Sequence, residues 1–320
     1  YHCLSSGINA EYMGVSDKAY QYAPLTPHDP RLGSGCWRTG SLIKHTRFCR
    51  SRLQGRAAFT AEMAGEKGGA NCRREVKVFD SHEQLAASLA HYTAQLSSKF
   101  IAERGVFTVV LSGGYLIDFL RKLLELPYVD SVQWEKWHVF WVDERVVPKD
   151  HVDSNYKLAY DGFLSKVPIA AENVYAINDT LSAEGAAADY EDRLKHLTTR
   201  RILDTSPATG FPQFDLMLLG MGPDGHVASL FPNHPLVNES EKWVAFIKDS
   251  PKPPPERITF TFPVINSSSY IVLLIAGAAE ANSVQKALGN GDDSGLLPVQ
   301  MVCPVEEITW FLDKDAASKL

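Results

Sequence analysis

The sequence predicts an α/β fold: a single doubly wound, parallel-rich sheet with helices on both faces. Three observations predict it. Short apolar runs alternate with helix-patterned stretches from about residue 76 onward, the order that builds βα units around one shared sheet. Val106–Leu111 is a continuous apolar and β-branched run, as expected of a strand covered on both faces. Glycine-rich strings then follow strand-like runs directly, at Gly113-Gly114 and at Gly220–Gly225, where an open parallel sheet turns toward its ligand side.

In chain order, Val76–Phe79 is strand-like, and Ser81 with Gln84 forms a capping box that opens a helix to about Ala102. The strand Val106–Leu111 is followed by a helix over Tyr115–Leu126, a strand over Trp137–Val142 and a helix over Ser154–Val167. Asn173–Ile177 reads as a strand, Ala183–Arg201 as a helix and Phe214–Leu219 as a strand. Further strands are expected at Trp243–Ile247, Ile258–Phe262, Tyr270–Ala276 and Ile308–Leu312, with a helix near Ala278–Leu288. No internal repeat is evident.

The net charge of −6 is unevenly spread. Residues 1–72 hold nine Lys/Arg and five Asp/Glu, leaving 23 basic against 33 acidic residues in 73–320. A domain that acidic repels nucleic acid, so an anionic ligand must be held by a local group of cations. Pro30–Ala61 contains no acidic residue and spreads seven Lys/Arg among Ser and Thr, the composition of an organellar transit peptide. Residues 1–72 are therefore read as a basic, disordered leader and linker, and 73–320 as the functional domain. The longest uncharged run, Ile258–Ala279, is broken by Pro263 and by Asn266–Ser269, so it is read as two strand-sized pieces and not as a membrane helix. None of the five cysteines forms a C-x-x-C pair; neither a disulfide framework nor a zinc site is expected.

Four clusters carry potential chemistry. Ser112-Gly113-Gly114 follows a strand and precedes a helix, so its backbone N–H groups could face an anion, although a Gly-Gly turn is more often only a turn. Asp143-Glu144-Arg145 closes the strand Trp137–Val142, and Asp153-Ser154-Asn155-Tyr156 opens the next helix; the planar fork of Arg145 suits phosphate or carboxylate. His226, in Gly220–His226, is placed by glycines at a strand end and can act as a general base. Lys252 and Arg257 flank a proline-stiffened segment that presents them with little loss of entropy.

Together LSGG (111–114), DER (143–145), SNY (154–156), GMGPDGH (220–226), SLFP (229–232) and SPKPP (250–254) resemble the 6-phosphogluconolactonase family, in the family's order, from about Val76 to Leu320. The resemblance implies a Rossmann-like fold of the sugar-phosphate isomerase and deaminase type, and hydrolysis of 6-phospho-D-glucono-1,5-lactone without metal or other cofactor. It implies His226 as the base that activates water, with Asp224 or Asp143 orienting it. Arg145, Lys252 and Arg257 would supply cations, Ser112, Gly113 and Gly114 would help hold the substrate, and Asn155 would position it. The related deaminases carry a catalytic glutamate five residues after the histidine, where this chain has Phe231. A deaminase or isomerase of the same superfamily, and a non-catalytic sugar-phosphate sensor, are the alternatives.

One departure is Tyr115, where the family has Ser; losing one neutral hydrogen bond is expected to weaken phosphate binding by ~1 kcal/mol. The details look most like plant or algal members, which directs the expected compartment to plastid or cytosol. Ser318-Lys319-Leu320 reads as a peroxisomal address. The partner expected is a small phosphorylated sugar lactone, with no nucleic acid or membrane partner and a monomer as the default state.

Overall fold

The computed structural model describes residues 72–289 and 295–320. The expected leader lies outside the described residues but for Cys72. The strands are β1 (Arg73–Phe79), β2 (Phe107–Leu111), β3 (Trp137–Trp141), β4 (Asp143–Arg145), β5 (Asp204–Thr205), β6 (Pro212–Gln213) and β7 (Leu216–Leu219). They continue with β8 (Val244–Ile247), β9 (Arg257–Phe260), β10 (Tyr270–Ile275) and β11 (Glu307–Asp313). Helices are α1 (His82–Arg104), α2 (Leu116–Leu120), α3 (Tyr128–Ser131), α4 (Asn155–Gly162), α5 (Ala183–Thr199), α6 (Phe262–Asn266) and α7 (Ala281–Leu288).

A six-stranded sheet in the order β1-β11-β10-β7-β2-β3 is parallel throughout. Its strands send alternate side chains to opposite faces. Val109, Leu111, Val139, Trp141, Leu216, Leu218 and Leu274 pack with Leu85 and Leu89 of α1, Leu116 of α2 and Ala159 of α4. Val110, Phe140, Met217, Leu219 and Leu273 pack on the other face with Tyr190 and Leu194 of α5 and Val284 of α7. Both faces are thus dry, which is why these strands read as unbroken apolar runs.

The structure departs from expectation at several elements. Two of the later strands, β8 and β9, leave the main sheet and join β4 in a small antiparallel sheet of order β4-β9-β8. Val142 links the two sheets: its N–H donates to Leu111 O (3.0 Å) and its carbonyl accepts from Phe260 N (2.7 Å). Asn173–Ile177 is no strand and makes only an isolated bridge, Val139 with Val174. The helix expected over 115–126 turns to 3-10 geometry at Arg121–Leu124 and ends three residues before Pro127. The helix capped by Ser154 ends at Gly162, short of Val167, with no room for a Cβ at Gly162 beside Ile117 (2.6 Å). Residues 314–319 are a series of turns after the end of β11.

The uncharged run 258–279 divides among β9, α6 and β10, and among the described residues no helix is long and apolar enough to cross a membrane. Cys72, before β1, and Cys303, before β11, are neighbouring thiols, and burial together with that neighbour pushes the Cys72 thiol up to about 12.

Candidate active site

The site forms at the carboxyl ends of β2, β3 and β7, where the chain leaves the parallel sheet. Ser112, Gly113, Gly114, Asp143, Arg145, Asn155, His226 and Arg257 line one cleft of about 230 Å³, together with Glu280. Two larger hollows, about 610 Å³ beside His234–Asp249 and about 530 Å³ beside His82 and Asp313, bring together no such set of the expected residues.

The histidine comes from the loop after β7. The Gly222 N–H donates to His226 O (3.0 Å) and the Gly225 N–H to Gly222 O (2.8 Å), folding the loop back on itself. The imidazole lies flat against Gly222, whose missing side chain makes the room: a Cβ there would stand 2.1 Å from His226 Cε1. His226 Nδ1 is 2.5 Å from Asp224 Oδ1. Burial works against the Asp224 charge, but the hydrogen bond and charge of His226, helped by Lys252, outweigh it and hold the carboxyl well below its usual range. A carboxylate can only accept, so we assign the proton to Nδ1, leaving the lone pair on Nε2. Lys252 Nζ stands 3.4 Å from Nδ1 and 3.6 Å from Asp224 Oδ1; with Nδ1 protonated, its partner is the carboxylate.

Of the two acids expected to orient His226, Asp224 is the one in hydrogen-bond contact with its ring. Asp143 is buried and its Oδ2 accepts from Ser229 Oγ (2.8 Å). Phe231, at the position where the related deaminases carry glutamate, is a packing residue: its ring centroid is 4.7 Å from that of His226 and 5.8 Å from the Arg257 guanidinium carbon.

Arg257 is more committed than its expected phosphate role requires. Its Nε donates to Pro254 O (3.0 Å) and its Nη2 to Lys252 O (2.8 Å) and Pro253 O (3.1 Å), while Nη1 reaches Ser229 Oγ (3.4 Å). This buried guanidinium clamps the proline segment and so positions Lys252. Arg145 donates from Nη1 to Asp153 O (2.9 Å), which aligns its fork along the cleft wall.

Asn155 and Gly113 interlock. The Asn155 Nδ2 donates to Asp143 O (3.0 Å), and its Oδ1 lies 1.9 Å from where a Gly113 Cβ would be. Only glycine fits there. The helix after Gly114 is the five-residue α2, so the expected helix-dipole support for an anion is slight. Tyr115 turns its hydroxyl away: the O–H donates to Leu274 O (3.2 Å) and the ring packs near Phe119. It does not stand in for the serine hydroxyl.

Besides Glu280, two buried residues at the site escaped sequence reasoning. Glu144 is 2% exposed and accepts from the N–H groups of Arg145 (2.8 Å), Asn155 (2.8 Å) and Tyr156 (2.7 Å). Burial pushes its carboxyl up to about 7 against those three bonds. Ser229, fully buried, joins Asp143 to Arg257. Both lie inside motifs already singled out, but their partners are distant in sequence. Among the described residues no three His, Cys, Asp or Glu side chains are grouped to hold a metal ion.

A family model for glucosamine-6-phosphate isomerases/6-phosphogluconolactonase matches residues 80–310. A probable 6-phosphogluconolactonase 4, chloroplastic, of Oryza sativa subsp. japonica is 68% identical over 248 residues, 77% of this chain and 76% of the relative. 6-Phosphogluconolactonase 3, chloroplastic, of Arabidopsis thaliana is 61% identical over 258 residues, 81% of this chain and 79% of the relative. The crystal structure of 6-phosphogluconolactonase from Thermotoga maritima is 30% identical with a TM-score of 0.65, covering 76% of this chain and all of that one. A monomeric glucosamine-6-phosphate deaminase superposes with a TM-score of 0.62 at 22% identity, over 77% of this chain and 99% of its own, which shows the shared fold alone. On the match over 80–310 and these identities, the chain belongs to the glucosamine-6-phosphate isomerase/6-phosphogluconolactonase family.

Proposed function

We propose that the chain hydrolyses 6-phospho-D-glucono-1,5-lactone to 6-phospho-D-gluconate in the oxidative pentose phosphate pathway. The observation that carries it is the His226–Asp224 pair opening on a cleft shared with Arg145, with Lys252 beside it. Lactone hydrolysis is acyl transfer to water and needs one base, one group for the oxyanion and a grip on the substrate. His226 Nε2 takes a proton from water as the oxygen attacks the lactone carbonyl carbon. The tetrahedral intermediate then expels the ring oxygen, which takes that proton back from the imidazolium, and the new acid ionises. Asp224 stabilises the transient imidazolium and keeps Nδ1 protonated throughout.

Arg145 and Lys252 provide positive charge for the phosphate and the developing oxyanion. Ser112, Gly113, Gly114 and Asn155 shape the bed on which the sugar lies, and Arg257 holds the Lys252 segment. Phe231 supports the lactonase over the deaminase reading, since an aromatic ring cannot transfer a proton. The test is lactone consumption, corrected for spontaneous opening, by wild type and His226→Ala. A fall of at least about 10²-fold in kcat is expected of a lost general base. A sensor would bind the sugar phosphate in both proteins and turn over neither.

Residues 73–320 are assigned as the catalytic domain and 1–72 as a leader. The chloroplastic names of the relatives favour a plastid. A second, peroxisomal address is proposed for the exposed Ser318-Lys319-Leu320, should these end the full-length protein. Imaging of fusions at each terminus tests both; a cytosolic signal from both would refute them.

A further inference from the structure

We infer that Glu280 sets the charge selectivity of the cleft: its carboxylate weakens binding in proportion to a ligand's negative charge. The phosphate of the substrate is thereby disfavoured, and the product, which carries an additional carboxylate, more so. The identity of these ligands rests on the lactonase reading; the placement of Glu280 does not.

After β10 the chain crosses Ala276-Gly277 into a 3-10 turn, Ala278–Glu280, that leads directly into α7. Glu280 lines the same cleft as Gly114, Arg145 and His226. A helix start favours a nearby negative charge, and a capping side chain would tie that charge to the backbone N–H groups. Glu280 makes no side-chain capping bond. The other acids around the cleft are each answered by donors: Asp143 by Ser229, Glu144 by three backbone N–H groups, and Asp224 by His226.

Among the described residues Glu280 is met only by its own backbone N–H and by no side-chain donor or ion-pair partner. Burial raises its carboxyl; the bond from its own N–H opposes that, the charge of Asp313 adds to it, and Lys252 offsets it only in part. On its other side stands Tyr115, whose ionisation Glu280 itself opposes. A half-buried carboxylate with no cationic partner in contact projects its field into the cleft. There the dielectric lies between water and protein interior, and a like charge on a ligand is felt.

The consequence is graded by charge. Gluconate brings one negative charge and the phosphorylated lactone about two. 6-Phosphogluconate, the product, brings both the phosphate and a carboxylate. Repulsion that grows along this series speeds release of product relative to binding of substrate.

The test compares wild type with Glu280→Gln, which keeps the shape and removes the charge, and with Glu280→Ala. Calorimetry gives Kd for gluconate and for 6-phosphogluconate; kinetics gives KM for the phosphorylated and unphosphorylated lactones. In both variants the 6-phosphogluconate affinity should rise about three- to tenfold more than that of gluconate, with the difference shrinking as salt screens it. The KM ratio of phosphorylated to unphosphorylated lactone should fall in the same sense. A Kd ratio constant within twofold would overturn the inference, even if both affinities moved together, because that is what a purely structural role at the start of α7 would produce. Absence of 6-phosphogluconate binding in all three proteins would overturn it too. Binding requires no turnover, so a wild type inactive on the phosphorylated lactone would refute the lactonase reading alone and leave this comparison decisive.

Discussion

Gly222→Ala is the substitution that separates the position of the base from its chemistry. A methyl group at Gly222 would lie 2.1 Å from His226 Cε1, 2.2 Å from Nδ1 and 2.8 Å from Asp224 Oδ1. Ordinary carbon contacts begin near ~3.5 Å, so the ring must retreat by roughly 1.4 Å. The backbone offers no objection, because Gly222 is not among the positive-φ glycines. The imidazole is 15% exposed and borders the cleft, so it has somewhere to go, and the damage falls on the 2.5 Å bond to Asp224. A misplacement of about 1 Å costs on the order of 10² in rate. We expect kcat about 10²-fold lower, KM within about threefold, and a melting temperature within a few degrees of wild type, as the fold loses no buried apolar group. A pH-stat that follows acid release, with spontaneous opening subtracted, reads the rate; circular dichroism reads the fold. A folded variant retaining kcat within threefold would show that His226 does not act from the observed position.

Asp224→Asn should lower kcat about 10²–10³-fold with little change in stability, because an amide can donate to Nδ1 and trap the proton on Nε2; the Asp224 side chain is 38% exposed, which moderates the loss. A pH–rate profile of unchanged shape and height would refute this assignment. Glu144 gives a stability effect of defined sign. Its folded value of about 7 lies above its ordinary 4.5, so its contribution is present below about 4.5 and is lost as pH rises through 7. The loss is on the order of 3 kcal/mol. Thermal unfolding at pH 5.5 and 8 should show about 2 kcal/mol of that decrement in wild type, part of it being lost already by pH 5.5, and a much smaller one in Glu144→Gln, although the amide variant is less stable at both. Tyr115→Ser should lower KM for the phosphorylated lactone several-fold, about 1 kcal/mol of restored hydrogen bonding. The same change gives up the bond to Leu274 and the contact with Phe119, so its melting temperature should drop while KM improves. A KM that does not fall removes the phosphate-site reading of this position.

Much of the architecture is carried by local chemistry. Alternating side chains on Val109–Leu111 and on Ile271–Ile275 satisfy two dry faces at once, a requirement that shows in any order of reading as unbroken apolar strands. The Ser81 cap on α1 and the Ser154 cap on α4 were visible for the same reason, since each cap is answered by an N–H three residues on. Asn173–Ile177 misled because an apolar run marks burial and does not specify pairing: it covers the sheet edge at Val139 without extending it. The destination of β8 and β9 was equally illegible, since antiparallel pairing with β4 depends on the turn that Val142 makes between the two sheets.

By itself the sequence determined the fold class, the places where strands end, and the residue types gathered there, because periodicity, capping and glycine placement act over a few neighbouring residues. Only the tertiary structure decided which acid holds His226, that Asp143 serves Ser229, that Arg257 is a clamp, and that Glu280 lines the same cleft without an ion-pair partner. Those outcomes depend on ångström-scale approach between segments far apart in the chain. Electrostatic and hydrogen-bond energies change steeply over that distance, and no local pattern encodes it.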